Sequence, residues 1–241
     1  MNRKLIALVF VGLLAGVAGC GGNSVRHRVE RSVEQSLPGI IGPAQSYSVQ
    51  ADGSTMGMMN GKLRGLDIIG IGVQLPSGIN ITRLNAKVTD ITFDPGTKKI
   101  KSVGAAEYSA SLSDAELTRY LRGKYPSVPG LSVAMNSGLI NISAKPGVSI
   151  VKLPIRADAG LVIRDERKLA LSLLQFEIAG INAPNFAVDY LESKMDVIFD
   201  ANDLGFNAKI KSVVIGPGTL TLNGTLDLMK VLEQQNTTLK Q

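Results

Sequence analysis

The stretch VSIVKLPIRADAGLVIRDERKLALSLLQFEI, residues 148–178, reads as two long strands joined through Arg164-Asp165-Glu166-Arg167. Apolar residues recur with a period of two on both sides of that polar tetrad, the pattern of a hairpin with one buried face. In the first strand Val151, Leu153, Ile155, Ala157, Ala159, Leu161 and Ile163 share a face, against Lys152, Arg156, Asp158 and Arg164 on the other. The second strand contributes Leu174, Phe176 and Ile178. Unbroken, the first strand would span roughly 50 Å at about 3.3 Å per residue. Pro154 and Gly160 offer places to bend. An aliphatic face of this length must meet helices, another sheet or acyl chains. A covered core and an open groove fit the pattern equally well.

Working outward, the same period governs most of the chain. Segments 46–51, 62–75, 79–93 and 100–112 alternate like strands and are punctuated by Asp52-Gly53, Asn60-Gly61, Pro76-Ser77-Gly78 and Asp94-Pro95-Gly96. In the third of them Leu84, Ala86 and Val88 share one face, while Ile91 and Phe93 fall on the other, a parity switch that predicts a bulge or twist. Strands resume at 131–135 and 139–144 and again at 194–199, 205–215 and 219–226.

Three segments break the period. Val25, Val29, Val33 and Leu37 recur at i, i+4 and predict a one-sided helix over 24–37, stopped by Pro38-Gly39. Ser113 and Glu116 have the spacing of a capping box, with Leu117, Tyr120 and Leu121 as the apolar stripe and Gly123 and Pro126 as the end. A third helix is expected over 186–193, after Pro184. The order is a long, curved antiparallel sheet with a few helices, an α+β class, not alternating βα units. No repeat or low-complexity linker divides it, so one domain is expected.

The N-terminus has another character. Arg3 and Lys4 precede an apolar run from Leu5 to Gly16 that is shorter than a bilayer span, which describes an export signal. It ends in Val17-Ala18-Gly19-Cys20, which resembles the bacterial lipobox, and Cys20 is the only cysteine among 241 residues. Residues 1–19 are expected to be removed as a lipoprotein signal peptide, and 20–23 to form the lipidated N-terminus. An acylated thiol has no nucleophilic, metal-binding or disulfide chemistry left. The expected location is the cell envelope: the outer membrane facing the periplasm where the cell has two membranes, otherwise the outer face of the cell membrane. The membrane, reached through lipidated Cys20, is the expected partner.

Composition narrows the function classes. The formal charge of +6 falls to +4 without Arg3 and Lys4, tryptophan is absent, and Tyr and Phe number five and six. That excess is mild and dispersed, so no nucleic-acid partner is expected. His27, the only histidine, lies on the charged side of the first helix, away from any nucleophile. With no free cysteine beside it, neither a zinc site nor any other metal or cofactor is expected. The acidic pairs have structural readings: Asp114 and Glu116 start a helix, Asp165 and Glu166 sit in a turn, and Asp200 and Asp203 flank a loop. A carboxylate pair assembled from distant strands stays open. Gly65, Gly70 and Gly72 match no phosphate-binding loop. The expectation is a protein that is not an enzyme.

The succession GKLRGLDIIGIGVQL (61–75), ITRLNAKVTDITFD (81–94), SASLSDAELTRYLRGKYP (109–126), the long hairpin and FNAKIKSVVIGPGTLTLNGTLDL (206–228) resembles the LmeA-like phospholipid-binding proteins of bacterial envelopes. The resemblance covers most of residues 24–228, with a polar tail at 229–241. It implies a curved α+β domain similar to tubular, BPI-like lipid-binding domains, with an apolar groove for phospholipid acyl chains. Val151, Leu153, Ile155, Leu161, Ile163, Leu174, Phe176 and Ile178 are the expected groove. The alternative is a non-enzymatic envelope scaffold with a filled core, no lipid ligand and protein partners that the sequence does not name.

Overall fold

The period-two segments form two antiparallel sheets with a few helices packed on them, an α+β fold, in the computed structural model of the chain. It describes residues 22–96, 100–145, 147–148, 151–152, 154–185, 188, 197–204 and 207–229. Cys20, Leu153, most of the third expected helix and the polar tail lie outside the described residues.

Helix α1, Gly22–Ile40, buries the predicted stripe of Val25, Val29, Val33 and Leu37. It runs through Pro38 instead of stopping before it. A proline so near the end removes one bond from the ladder while its fixed φ stays helical, and the last turn still closes through Ile41 N–H to Leu37 O at 2.9 Å.

The larger sheet holds β1 (Ser46–Asp52), β2 (Lys62–Gln74), β3 (Asn80–Phe93), β4 (Ile100–Ser102), β5 (Ala106–Ser113), β14 (Lys209–Gly216) and β15 (Thr219–Thr225). Its order is β1-β2-β3-β5-β15-β14, with β4 paired to the far end of β3. Directly opposed residues share a face. Val49, Ile68, Ala86, Tyr108, Gly224 and Ile210 therefore form one row across the sheet beneath α1. The parity switch sits at Asp90, whose φ of 51° is left-handed, a conformation short polar residues tolerate. The segment expected as one strand over 100–112 breaks at Gly104, whose N–H returns to Thr89 O at 3.0 Å.

A short helix that the sequence reading did not include, α2 (Thr55–Met59), follows β1, with Ser54 as its N-cap. Helix α3, Asp114–Lys124, starts as expected with the Ser113 side chain accepting from Glu116 N–H. The reciprocal half of the capping box is not made: Ser113 N–H goes to Thr82 Oγ1 at 3.1 Å, and the Glu116 carboxylate pairs with Arg119.

The second sheet holds β6 (Ser132–Asn136), β7 (Leu139–Ala144), β10 (Ile155–Arg164), β11 (Lys168–Ile178), β12 (Ile181–Asn182) and β13 (Phe199–Asp200), in the order β12-β11-β10-β7-β6 with β13 on β11. The expected single long sheet is thus two. The long strand breaks as well: β8 (Gly147–Val148) and β9 (Val151–Lys152) pair with each other, and β10 begins only after Pro154. Proline lacks the donor a central ladder needs, although its carbonyl still accepts from Ala179 N–H at 2.8 Å. The turn takes Asp165 and Glu166 through left-handed φ of 52° and 55°. Between Asp158 and Ala159 the register shifts, so Leu174 is the unpaired residue of a bulge.

The β14–β15 hairpin joins the sheets, through Gly138 N–H to Ile215 O and Gly218 N–H to Met135 O. One buried cluster runs through both, with Ile79, Ile81, Leu117, Ile140, Leu169 and Leu220 almost fully enclosed. Each such side chain stabilises the fold by about 1.5–3 kcal/mol.

Candidate functional site

Between α1 and the larger sheet the packing is incomplete. Val29, Val33, Leu37 and Ile40 form a roof, and Leu66, Ile68, Leu84, Ala86, Val88 and Tyr108 form the floor. Every described lining residue is apolar except Tyr108. The cavity has a volume of about 100 Å³ and is partly open to solvent. The sequence explains why a void forms here. Ala86 on the floor and Val29 and Val33 on the roof are short side chains, which leave the space between helix and sheet part-filled.

The roof is tied to the sheet along one side only by polar contacts. Arg26 donates to Gly53 O at 3.2 Å, and Glu30 Oε1 accepts from Ala51 N–H, an otherwise open donor on the sheet's edge strand, at 3.0 Å. His27 pairs with the other Glu30 oxygen at 3.0 Å on the exposed side.

Two buried tyrosines sit on this face of the sheet. Tyr47 donates to Gly42 O at 2.8 Å. The Tyr108 hydroxyl is fully enclosed and has no hydrogen-bond partner among the described residues. Burial pushes both phenols up to about 12, so both hydroxyls stay protonated at neutral pH.

None of the seven described residues expected to form the groove lines this cavity. Ile155, Leu161, Ile163, Leu174, Phe176 and Ile178 belong to the second sheet. Ile155 and Ile178 face each other across β10 and β11, both half-buried. Phe176 is buried opposite Ala157, and Leu161 and Ile163 are half-buried near the hairpin end. The bulge turns Leu174 to the other side, where it is 64% exposed and lies over Gly160. Val151 lies in β9, and Leu153 is outside the described residues. The site that is open was visible in sequence only as the shared face of Leu84, Ala86 and Val88.

Among the described residues no three His, Cys, Asp or Glu side chains are grouped to hold a metal. No described helix is long and apolar enough to cross a membrane. Desolvation raises the Asp203 carboxyl; a hydrogen bond from Ser77 lowers it and the Asp200 charge raises it further.

The family model described as LmeA-like phospholipid-binding matches residues 17–225, most of the chain and all of the larger sheet. No curated protein matches the chain significantly, and no solved structure does.

Proposed function

The chain belongs to the LmeA-like phospholipid-binding family, and on that premise we propose that it binds phospholipid with the acyl chains sheltered beneath α1. The observation that carries this reading is the apolar, partly open cavity between that helix and the larger sheet. A cavity of about 150 Å³ accommodates benzene, and this one is smaller, at about 100 Å³. An acyl chain therefore enters by displacing α1. The exchange is close to balanced: the chain replaces the helix's apolar contacts with its own, at about 0.8 kcal/mol for each CH₂ removed from water.

The activity is binding or transfer, not catalysis. Diacylation of Cys20 holds the protein to the envelope membrane, because two or more acyl chains exceed the marginal anchoring that one provides. Where the cell has two membranes, the site is the periplasmic face of the outer one.

Native mass spectrometry of the purified protein, followed by organic extraction, tests the binding. Copurified phospholipid is expected. Protein that arrives lipid-free and takes up no phospholipid from vesicles rejects the reading and leaves an envelope scaffold. Ile155→Asn separates the two faces: it should leave uptake unchanged if the chains lie under α1, and lower it if they lie on the second sheet.

A further inference from the structure

Tyr108 is the one residue with a polar side chain among the described residues lining the cavity, and its hydroxyl is enclosed and without a partner. Its position is built, not incidental. Tyr108 stands in the middle of the row across the sheet, between Ala86 and Gly224. A Cβ added at Gly224 would lie 2.6 and 2.8 Å from the Tyr108 ring and 1.9 Å from Lys209 O. Glycine at 224 thus leaves the ring its place. Phenylalanine would fill the same volume without enclosing an unsatisfied donor, and such a donor costs stability. Tyr47, on the same face, shows the usual outcome: its hydroxyl is enclosed with an acceptor at 2.8 Å.

We infer that Tyr108 is the polar anchor of the cavity, donating a hydrogen bond to the acyl carbonyl at the head of a bound chain. The inference rests on the acyl-binding reading and adds to it the part of the ligand that is read chemically. A protonated phenol needs an acceptor, and the apolar walls offer none. An acyl chain supplies one oxygen acceptor at one end of a hydrocarbon, which matches one donor in a hydrocarbon-lined space. The carbonyl belongs either to a phospholipid ester or to a free fatty acid. An ether-linked chain lacks the carbonyl and offers only its linking oxygen, displaced from the carbonyl position, so the site discriminates by linkage and not only by length.

The test uses the full mature protein and three probes of equal chain length: a diacyl phosphatidylglycerol, its dialkyl ether analogue and the free fatty acid. The parent protein should bind the diacyl lipid roughly tenfold more tightly than the ether. Tyr108→Phe should bind both alike, at the ether affinity, while its lipid-free denaturation midpoint holds or rises. Tighter binding of the free fatty acid than of the diacyl lipid, lost in Tyr108→Phe, would keep the anchor and assign the carbonyl to the free acid. A parent that binds ester and ether equally, or a Tyr108→Phe variant that keeps the preference, overturns the anchor and leaves the acyl-binding reading intact. A parent that binds none of the three overturns both.

Discussion

Ala86→Val should stabilise the lipid-free protein and weaken its uptake of lipid at the same time. Ala86 lies between Ile68 and Tyr108 on the neighbouring strands, is 9% exposed and faces the cavity. Valine adds two methyl groups to unfilled space, each worth about 0.8 kcal/mol on transfer from water. Filling part of the roughly 100 Å³ void adds to this, since cavity volume costs about 24 cal/mol per Å³. A β-branched residue also suits a strand. The expected gain is about 1–2 kcal/mol, or about 2–8 °C in Tm for a chain of this length. In a filled core the sign reverses, because overpacking costs about 1–3 kcal/mol.

The assay is calorimetry on delipidated protein, since bound ligand would itself raise Tm, together with transfer of a fluorescent phospholipid from vesicles. A lowered Tm would mean that there is no space at Ala86. A raised Tm with undiminished uptake would mean that the acyl chains go elsewhere. Either result refutes the reasoning, and they refute different steps of it.

Ser113→Ala should cost about 0.5–2 kcal/mol by removing the N-cap of α3, read as a lowered denaturation midpoint; because Glu116 does not cap back, Glu116→Ala should cost less. Cys20→Ala should leave uncleaved precursor or release soluble protein, and unchanged fractionation and processing would reject the lipid anchor. Tyr47 and Tyr108, both pushed up to about 12 by burial, make stability fall at alkaline pH. Below about pH 10 the phenols are neutral in both states and contribute no pH dependence. Above it the unfolded chain ionises first, so stability is lost between about pH 10 and 12. Replacing both with phenylalanine should flatten that loss, and an unchanged alkaline midpoint in the double variant would contradict it.

What was legible in sequence is what local chemistry decides. The stripe of α1, the cap of α3, the hairpin at Arg164–Arg167 and the parity switch at Asp90 each depend on residues within one or two turns of each other. What was not legible depends on partners. The bend at Pro154 was legible, but the separate pairing of β8 with β9 before it was not, and the turning of Leu174 follows from a register shift against β10. The faces of Ile155–Ile163 and of Leu84–Val88 have the same alternation and similar side chains. Both belong to the packed interior, but only the second lines a cavity, and the alternation alone does not tell them apart. The short helix α2 carried a single signal, Ser54 before Thr55, too little to separate it from a turn.

Given the lipid anchor proposed at Cys20, the position of the roof along the chain should couple opening to the membrane. Helix α1 begins at Gly22, two residues after Cys20, so an acylated Cys20 holds its first turn within about 7 Å of the anchor. Its exposed side carries Arg28 and Arg31 beside Glu34, a net positive face compatible with an anionic lipid surface. Opening in water would expose the roof, where Val29, Val33 and Leu37 are each no more than 4% exposed, at about 1.5–3 kcal/mol per side chain. At a bilayer the same side chains meet hydrocarbon, and most of that cost disappears. The roof should therefore be closed in solution and open on the membrane. Amide hydrogen exchange across residues 25–40 measures this: strong protection for the unacylated protein in buffer, and faster exchange for the acylated protein on vesicles while the strands beneath stay protected. Equal protection of α1 in both settings would mean that the cavity is a packing defect and not a door.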